Sequence, residues 1–172
     1  MAGSGRDERA WVRGAQAGSV SDLEALFRAH WPRAYRAAYL VVHDGAAAED
    51  IAQEAFLAAV RSLDRFDRTR PFGPWVHRIA VNRAIDWARA RSLRAESEPV
   101  EPGAGDPPRP DDALLRELAA LSPDHRAVVV LRYLLDYTPG EIAELLELPR
   151  GTVNSRLRRG LDRLRERLDG GT

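Results

Sequence analysis

The sequence predicts an all-α protein: two small helical domains joined by a flexible Pro/Gly-rich acidic linker, the second domain carrying a helix-turn-helix. Three observations predict it. Apolar residues recur at helical spacing along most of the chain, with few β-branched alternations and no β-hairpin signal. That pattern stops over residues 93–111, where Pro99, Pro102, Pro107, Pro108 and Pro110 stand with Gly103 and Gly105 among mostly acidic neighbours. Residues 138–168 then hold two helical stretches separated by only a tight turn. The domains are therefore set at 7–92 and 112–168, with 93–111 as the tether.

Taken in order, the first helix is expected over 7–17, broken by Gly18-Ser19. Ser21 or Asp22 caps the second, with Leu23, Leu26, Phe27 and His30 or Trp31 on its buried side. It continues past Pro32, through Tyr35 and Tyr39, to position 42. Asp44-Gly45 interrupts the chain, and the next helix is expected over 47–63, with Ala52, Phe56, Ala59, Val60 and Leu63 inward. Asp50, Gln53 and Glu54 share another face of it. By residue chemistry alone that face is a wetted acidic surface. Residues 65–73 form a short basic, aromatic loop. Pro74 opens a further helix in which Val76, Ile79, Ala80 and Ala84 can be buried, leaving His77, Arg78, Asn82, Arg83 and Arg89 elsewhere. Arginines interleaved with Phe66, Phe72, Trp75 and Trp87 suit a single-stranded nucleic acid, whose bases stack on aromatics while Arg follows the phosphates. Trp75 and Trp87 also suit a core.

After the tether, Asp111 or Asp112 caps a helix to Ala120, and Ser122-Pro123 caps the next. Thr138, Pro139 and Glu141 then occupy the N-cap, first and third positions of a short helix, the pattern of a capping box. Ile142, Leu145 and Leu146 give it an apolar face, and Ala143 is small enough for a helix to cross closely. A turn at Glu147-Leu148 leads to Pro149, which starts the last helix. There Val153, Leu157, Leu161, Leu164 and Leu168 form a core stripe, and Asn154, Ser155, Arg158, Arg159 and Asp162 the opposite face. Residues 150–168 hold seven Arg against Asp162 and Glu166. Arg and Asn can each make two hydrogen bonds to a base edge in the major groove, while Thr and other Arg hold phosphates. A helix pair of this kind therefore suits a DNA-reading element, although a basic solvated face on an ordinary bundle has the same spacing.

Charge is informative by its distribution. The 172 residues carry no net charge, yet residues 61–94 hold nine Arg and three Asp, while 95–124 hold eight acids and two Arg. There is no Cys, which removes disulfides, thiolate metal sites and cysteine nucleophiles. His30, His43, His77 and His125 lack metal-ligand spacing, and no phosphate-binding Gly loop occurs. No catalytic residue, metal or cofactor is expected. The polar N-terminus does not read as a secretory signal, and the longest apolar run, near 37–42, falls far short of the roughly 20 residues of a membrane span. A soluble cytoplasmic protein is expected.

Together these strings resemble the extracytoplasmic-function (ECF, group IV) sigma factors of bacterial RNA polymerase, in the sigma-70 family. In the first domain the resemblance rests on Ala48-Glu49-Asp50-Ile51-Ala52-Gln53-Glu54-Ala55-Phe56, on Leu63-Asp64-Arg65-Phe66, and on Arg70-Pro71-Phe72-Gly73-Pro74-Trp75-Val76-His77-Arg78-Ile79-Ala80-Val81-Asn82. In the second it rests on Leu121-Ser122-Pro123, Val129-Val130-Leu131-Arg132-Tyr133, Glu141-Ile142-Ala143-Glu144 and Gly151-Thr152-Val153-Asn154-Ser155-Arg156-Leu157. The order and spacing of all these strings are more specific than any one of them.

The resemblance implies that Asp50, Gln53 and Glu54 dock on the polymerase core. It implies that Phe66 and Asn82 help capture an unstacked base of the −10 element, with 65–73 as the specificity loop and Arg70, Trp75, Arg78 and Arg83 on the same DNA surface. Base capture can nucleate melting without catalysis, because extruding a base costs only a few kcal/mol. In the last helix, Asn154, Ser155 and Arg158 match base-contacting positions for the −35 element, and Thr152, Arg156 and Arg159 match phosphate-holding ones. The acidic tether resembles the segment that threads the polymerase's RNA-exit path. Partners implied are the polymerase core enzyme, promoter DNA and an anti-sigma factor. Asn154 and Arg158 depart from common residues at their positions, so no −35 sequence carries over, and Gly160 replaces a usual Ala at about 1 kcal/mol. An alternative reading is a helix-turn-helix transcriptional regulator with an N-terminal sensor or dimerisation module.

Overall fold

The computed structural model describes residues 4–97 and 112–169, and every regular element among them is helical. The tether expected over 93–111 lies outside the described residues from position 98 onward. Eight α-helices follow in order: α1 Ser4–Gln16, α2 Val20–Val42, α3 Gly45–Arg61, α4 Phe72–Ser97, α5 Asp112–Ala119, α6 Pro123–Val129, α7 Pro139–Leu146 and α8 Arg150–Asp169. A single 3-10 turn, Leu63–Arg65, follows α3, and a π turn, Val130–Leu134, extends α6.

Local chemistry sets most boundaries. The α2 cap is Ser19, whose hydroxyl accepts from the Asp22 amide at 3.3 Å, two or three residues earlier than the capping position expected from sequence. Asp44 caps α3 by accepting from the Ala47 amide at 3.0 Å. The capping box of α7 is complete: Glu141 Oε2 accepts from the Thr138 amide and hydroxyl, each at 2.7 Å, while Thr138 Oγ1 accepts from the Glu141 amide. Those two donations from Thr138 hold the Glu141 carboxyl below the usual carboxylate range. Ser122 stands at the N-cap of α6, yet its hydroxyl pairs with His125 Nδ1 at 2.6 Å instead of capping the backbone. Glu147, with φ 54°, makes the left-handed turn between α7 and α8.

Two cores result. One packs Val12, Leu26, Ala34, Ala55, Phe56, Ala59, Leu63, Phe72, Val76 and Ala80, binding α1 to the α2–α4 layer. The other runs from α2, α3 and α4 (Val41, Ile51, Val81, Ile85) continuously into α5–α8 (Leu118, Val128, Leu131, Ile142, Val153). Arg126 locks this junction. Though buried, its guanidinium donates to the carbonyls of Leu118, Val41, Ala119 and Leu121 at 3.0, 2.6, 2.8 and 3.0 Å. These carbonyls lie near the C-terminal ends of α2 and α5, where the helix dipole favours a cation. At Gly160, α8 crosses α6 so closely that a Cβ would meet Val129 Cγ2 at 2.9 Å, which explains glycine inside this helix.

Some expected core positions are not core. Phe27, Val60 and Leu168 are exposed at 39%, 42% and 62%. His77, expected on a free face, is buried at 5%. Sequence periodicity finds the stripe of a helix but not its edges, which depend on where the neighbouring helix ends.

Candidate nucleic-acid interface

The candidate recognition surface of the C-terminal half is built from α7 and α8. Val153 and Leu157 anchor α8 against Ile142 and Leu145 of α7, so the opposite side faces outward. Asn154, Arg158 and Arg159 are exposed there. Thr152 and Ser155 are half-buried, and Ser155 Oγ donates to the Thr152 carbonyl at 3.0 Å. Arg156 points elsewhere: its Nη2 lies 3.6 Å from Asp124 Oδ2 on α6. The same carboxylate accepts from Arg89 Nε of α4 at 3.1 Å.

In the N-terminal half, the loop between α3 and α4 and the first turns of α4 gather an aromatic cluster. Phe66 lies 4.5 Å from Trp75 and 5.8 Å from Phe72 between ring centroids, and Phe72 lies 5.6 Å from Trp75. Beside it opens a cavity of about 500 Å³ lined by Glu8, Arg9, Phe66, Thr69, Arg70 and Phe72, among others. Asp67 orders the loop's middle, its Oδ1 accepting from the Thr69 amide at 2.9 Å and hydroxyl at 2.7 Å; these bonds hold its carboxyl below the usual range. The loop's ends are tied to α1. Gln16 Nε2 donates to the carbonyls of Leu63 and Phe66 at 2.8 and 3.1 Å. Glu8 Oε1 accepts from the amides of Phe72 and Gly73 at 2.8 and 3.3 Å.

Of the −10 residues expected from sequence, Phe66, Arg70 and Trp75 come together at the loop. Arg70, Trp75 and Arg78 line a second cleft, about 720 Å³, shared with Tyr137, Glu141 and Glu147 near α7. Arg78 pairs with Glu147. Asn82 is ten residues along α4 from Phe72, about 15 Å by helical rise. It faces a small cleft of about 80 Å³ with Asp86, Arg89, Asp124 and Arg156. Arg83 is exposed. In this arrangement Arg78 lies between the loop and α7, while Asn82 faces the C-terminal half.

On α3, Asp50, Gln53 and Glu54 are exposed together. An apolar strip, unseen in the sequence because Leu23, Phe27, Phe56 and Val60 read as core, adjoins Gln53: these four line one groove with it, together with Val20 and Leu57. Behind the loop sits an imidazole pair, His77 buried and His30 half-buried. His30 and His77 have ring centroids 5.6 Å apart, and His30 Nε2 lies 3.5 Å from Glu8 Oε2. Burial, aided by His30 and Arg33, pushes the His77 pKa down to about 4, and burial likewise lowers that of His30 against the pull of Glu8. Among the described residues, no group of three His, Asp or Glu side chains could hold a metal ion, and no helix is long and apolar enough to cross a membrane.

Comparison with known proteins places this geometry. Residues 26–94 match the family model for sigma-70 region 2, and residues 111–164 that for sigma-70 region 4. The chain is 35% identical to the ECF RNA polymerase sigma factor SigW of Bacillus subtilis, over 78% of this chain and 82% of that protein. It is 33% identical to the RNA polymerase sigma factor CarQ of Myxococcus xanthus, over 88% and 91%. The structure of CnrH in complex with the cytosolic domain of CnrY superposes with a TM-score of 0.72 at 25% identity, covering 96% of this chain and 99% of that one. A sigma factor RpoE from Bartonella quintana, solved with the anti-sigma factor NepR, shares the fold at TM-score 0.68 and 22% identity, over 87% and 98%. Matches to both sigma-70 region 2 and sigma-70 region 4 define a transcription-initiation factor of the sigma-70 class. This chain belongs to the ECF sigma factors of the sigma-70 family, and it is an RNA polymerase sigma factor.

Proposed function

We propose that this protein, working in the cytoplasm and performing no chemistry itself, brings core polymerase to promoters by reading two elements with two modules, near 7–92 and 112–168. The observation that carries the reading is the exposed Asn154, Arg158 and Arg159 face of α8, presented beside a capped α7. Asn154, Ser155 and Arg158 contact bases of the −35 element, and Thr152, Arg156 and Arg159 hold its phosphates. Phe66, Arg70, Trp75, Arg78, Asn82 and Arg83 engage the −10 element, with unstacked bases received on the aromatic cluster. Asp50, Gln53 and Glu54 meet the polymerase core, and the adjoining apolar strip supplies the area a stable contact needs.

The ion pairs Arg78–Glu147 and Arg156–Asp124 occupy two of these DNA-contacting arginines. Arg78 is free for DNA only once its pair, which joins α4 to α7, opens, whereas Arg156–Asp124 lies within the C-terminal half. An anti-sigma protein that held the halves together would keep Arg78 from the −10 element.

Run-off transcription tests the reading. Core polymerase supplemented with this chain alone initiates at a cognate promoter, whereas a helix-turn-helix regulator acts only when another sigma factor is present. Within the recognition helix, Arg158→Ala is expected to lose about 1–3 kcal/mol and relax discrimination at a single base pair, while Arg159→Ala weakens all sequences alike. Equal effects on a binding-site library would contradict the assignment.

A further inference from the structure

The first helix lies outside the matched region, which begins at residue 26. Three of its residues, Glu8, Val12 and Gln16, follow one another at intervals of four and so share a face. That face meets the loop between α3 and α4 with matched polarity. Gln16, at one end, donates to two carbonyls where the chain leaves the 3-10 turn, at 2.8 and 3.1 Å. Glu8, at the other, accepts from two amides where α4 begins, at 2.8 and 3.3 Å. Val12, 3% exposed, packs in the core between them. The attachment points of the loop are thus fixed by a single rigid rod, and Glu8 and Arg9 also line the cavity beside the aromatic cluster. Gly73 tightens the fit: a Cβ there would meet the His30 ring at 2.6 Å, so the start of α4 sits directly against the imidazole that pairs with Glu8.

From this geometry we infer that α1 is a two-point brace for the base-reading loop, with Glu8 and Gln16 as positioning residues that hold the aromatic cluster open in the shape a captured −10 base requires. The inference rests on the reading of residues 65–73 as the −10 loop. Without Gln16 the two carbonyls lose their side-chain partner. Without the Glu8 carboxylate the first two amides of α4 lose their acceptor. In either case the loop acquires alternative conformations, and pre-organised base capture is lost before the fold is.

The experiment uses the full chain assembled with core polymerase. A single-stranded oligonucleotide selected by the wild-type holoenzyme from a pool randomised over the −10 element is compared with a scrambled version. A −35 duplex and the affinity for core polymerase serve as internal references. Glu8→Ala and Gln16→Ala are each expected to lose at least tenfold in the preference for the selected strand, with −35 and core binding within twofold of wild type. Glu8→Gln, whose amide oxygen still accepts from both N–H groups, restores most of the preference. Equal losses of −10 and −35 binding would reveal general destabilisation and overturn the brace. If both alanine variants discriminate normally while Phe66→Ala does not, the loop reads bases but α1 does not position it. If Phe66→Ala also discriminates normally, the base-reading assignment beneath the inference is wrong. Should Glu8→Ala fail to fold, Gln16→Ala decides alone: retained preference refutes the brace, and lost preference with intact −35 binding supports it.

Discussion

The two surfaces proposed to read DNA are built in different ways. The recognition helix starts one turn after α7, whose cap closes within three residues, and its later turns rest on α6, where Gly160 meets Val129. The −10 loop is held by residues 47 to 65 positions away, on a helix that precedes it by the whole of α2 and α3. A surface made of regular helix needs only its own periodicity and a packing partner. A surface made of irregular backbone must find partners for its amides and carbonyls wherever the fold supplies them. The first kind can keep its shape while its module moves, whereas the second depends on the integrity of its module.

The sharpest challenge to this contrast is Arg126, a side chain of α6 that binds the ends of α5 and α2. Arg126→Ala strands four carbonyls and removes the cation at two helix ends, and is expected to cost about 3–5 kcal/mol. Chemical denaturation should then show whether α5–α8 unfold with α1–α4 or separately. A single shared transition in the variant would mean that the second core, more than the guanidinium, joins the halves.

A somewhat smaller effect should confine itself to the N-terminal half. His77 has a folded pKa of about 4 against an unfolded value near 6.5, so the folded state binds fewer protons. Its stabilising preference for the neutral ring is fully present above pH 6.5 and is lost as the pH falls toward 4, by about 3 kcal/mol in all. His43, held down to about 4 by burial and the nearby Arg126, adds in the same direction. Stability measured from pH 7 to 4 should fall less steeply in His77→Gln, even if that variant is less stable at pH 7. An unchanged slope would remove His77 from the account.

The smallest effect separates propensity from packing in the C-terminal half. Gly160→Ala would gain about 1 kcal/mol from helix propensity alone. Its new methyl group meets the stiff Val129 side chain at 2.9 Å, and overpacking of this kind costs about 1–3 kcal/mol. A net loss of about 1 kcal/mol is expected in thermal unfolding. A net gain would show that α6 and α8 can spread at little cost.

Legibility follows the same division. Ile142, Val153, Leu157 and the Thr138–Glu141 cap were readable because each depends on residues three or four positions away. Phe27 and Val60 were misplaced because helical stripes do not reveal where a neighbouring helix ends, and here that edge is an exposed apolar strip. His77 was misplaced because its burial follows from α2 crossing α4 beside His30, a contact between residues far apart in sequence. The spacing of Glu8, Val12 and Gln16 was visible, but a polar–apolar–polar pattern has no meaning until the loop it meets is known.

By itself, the sequence determined that the chain is helical, that a capping box opens α7, and which strings mark it as an ECF sigma factor, because periodicity, that cap and motif order are local properties. Only the tertiary structure decided that Arg126 binds the end of α2, that Asp124 faces both Arg89 and Arg156, and that α1 spans the loop. Those contacts join groups far apart along the chain, and their geometry is set by how helices pack in three dimensions.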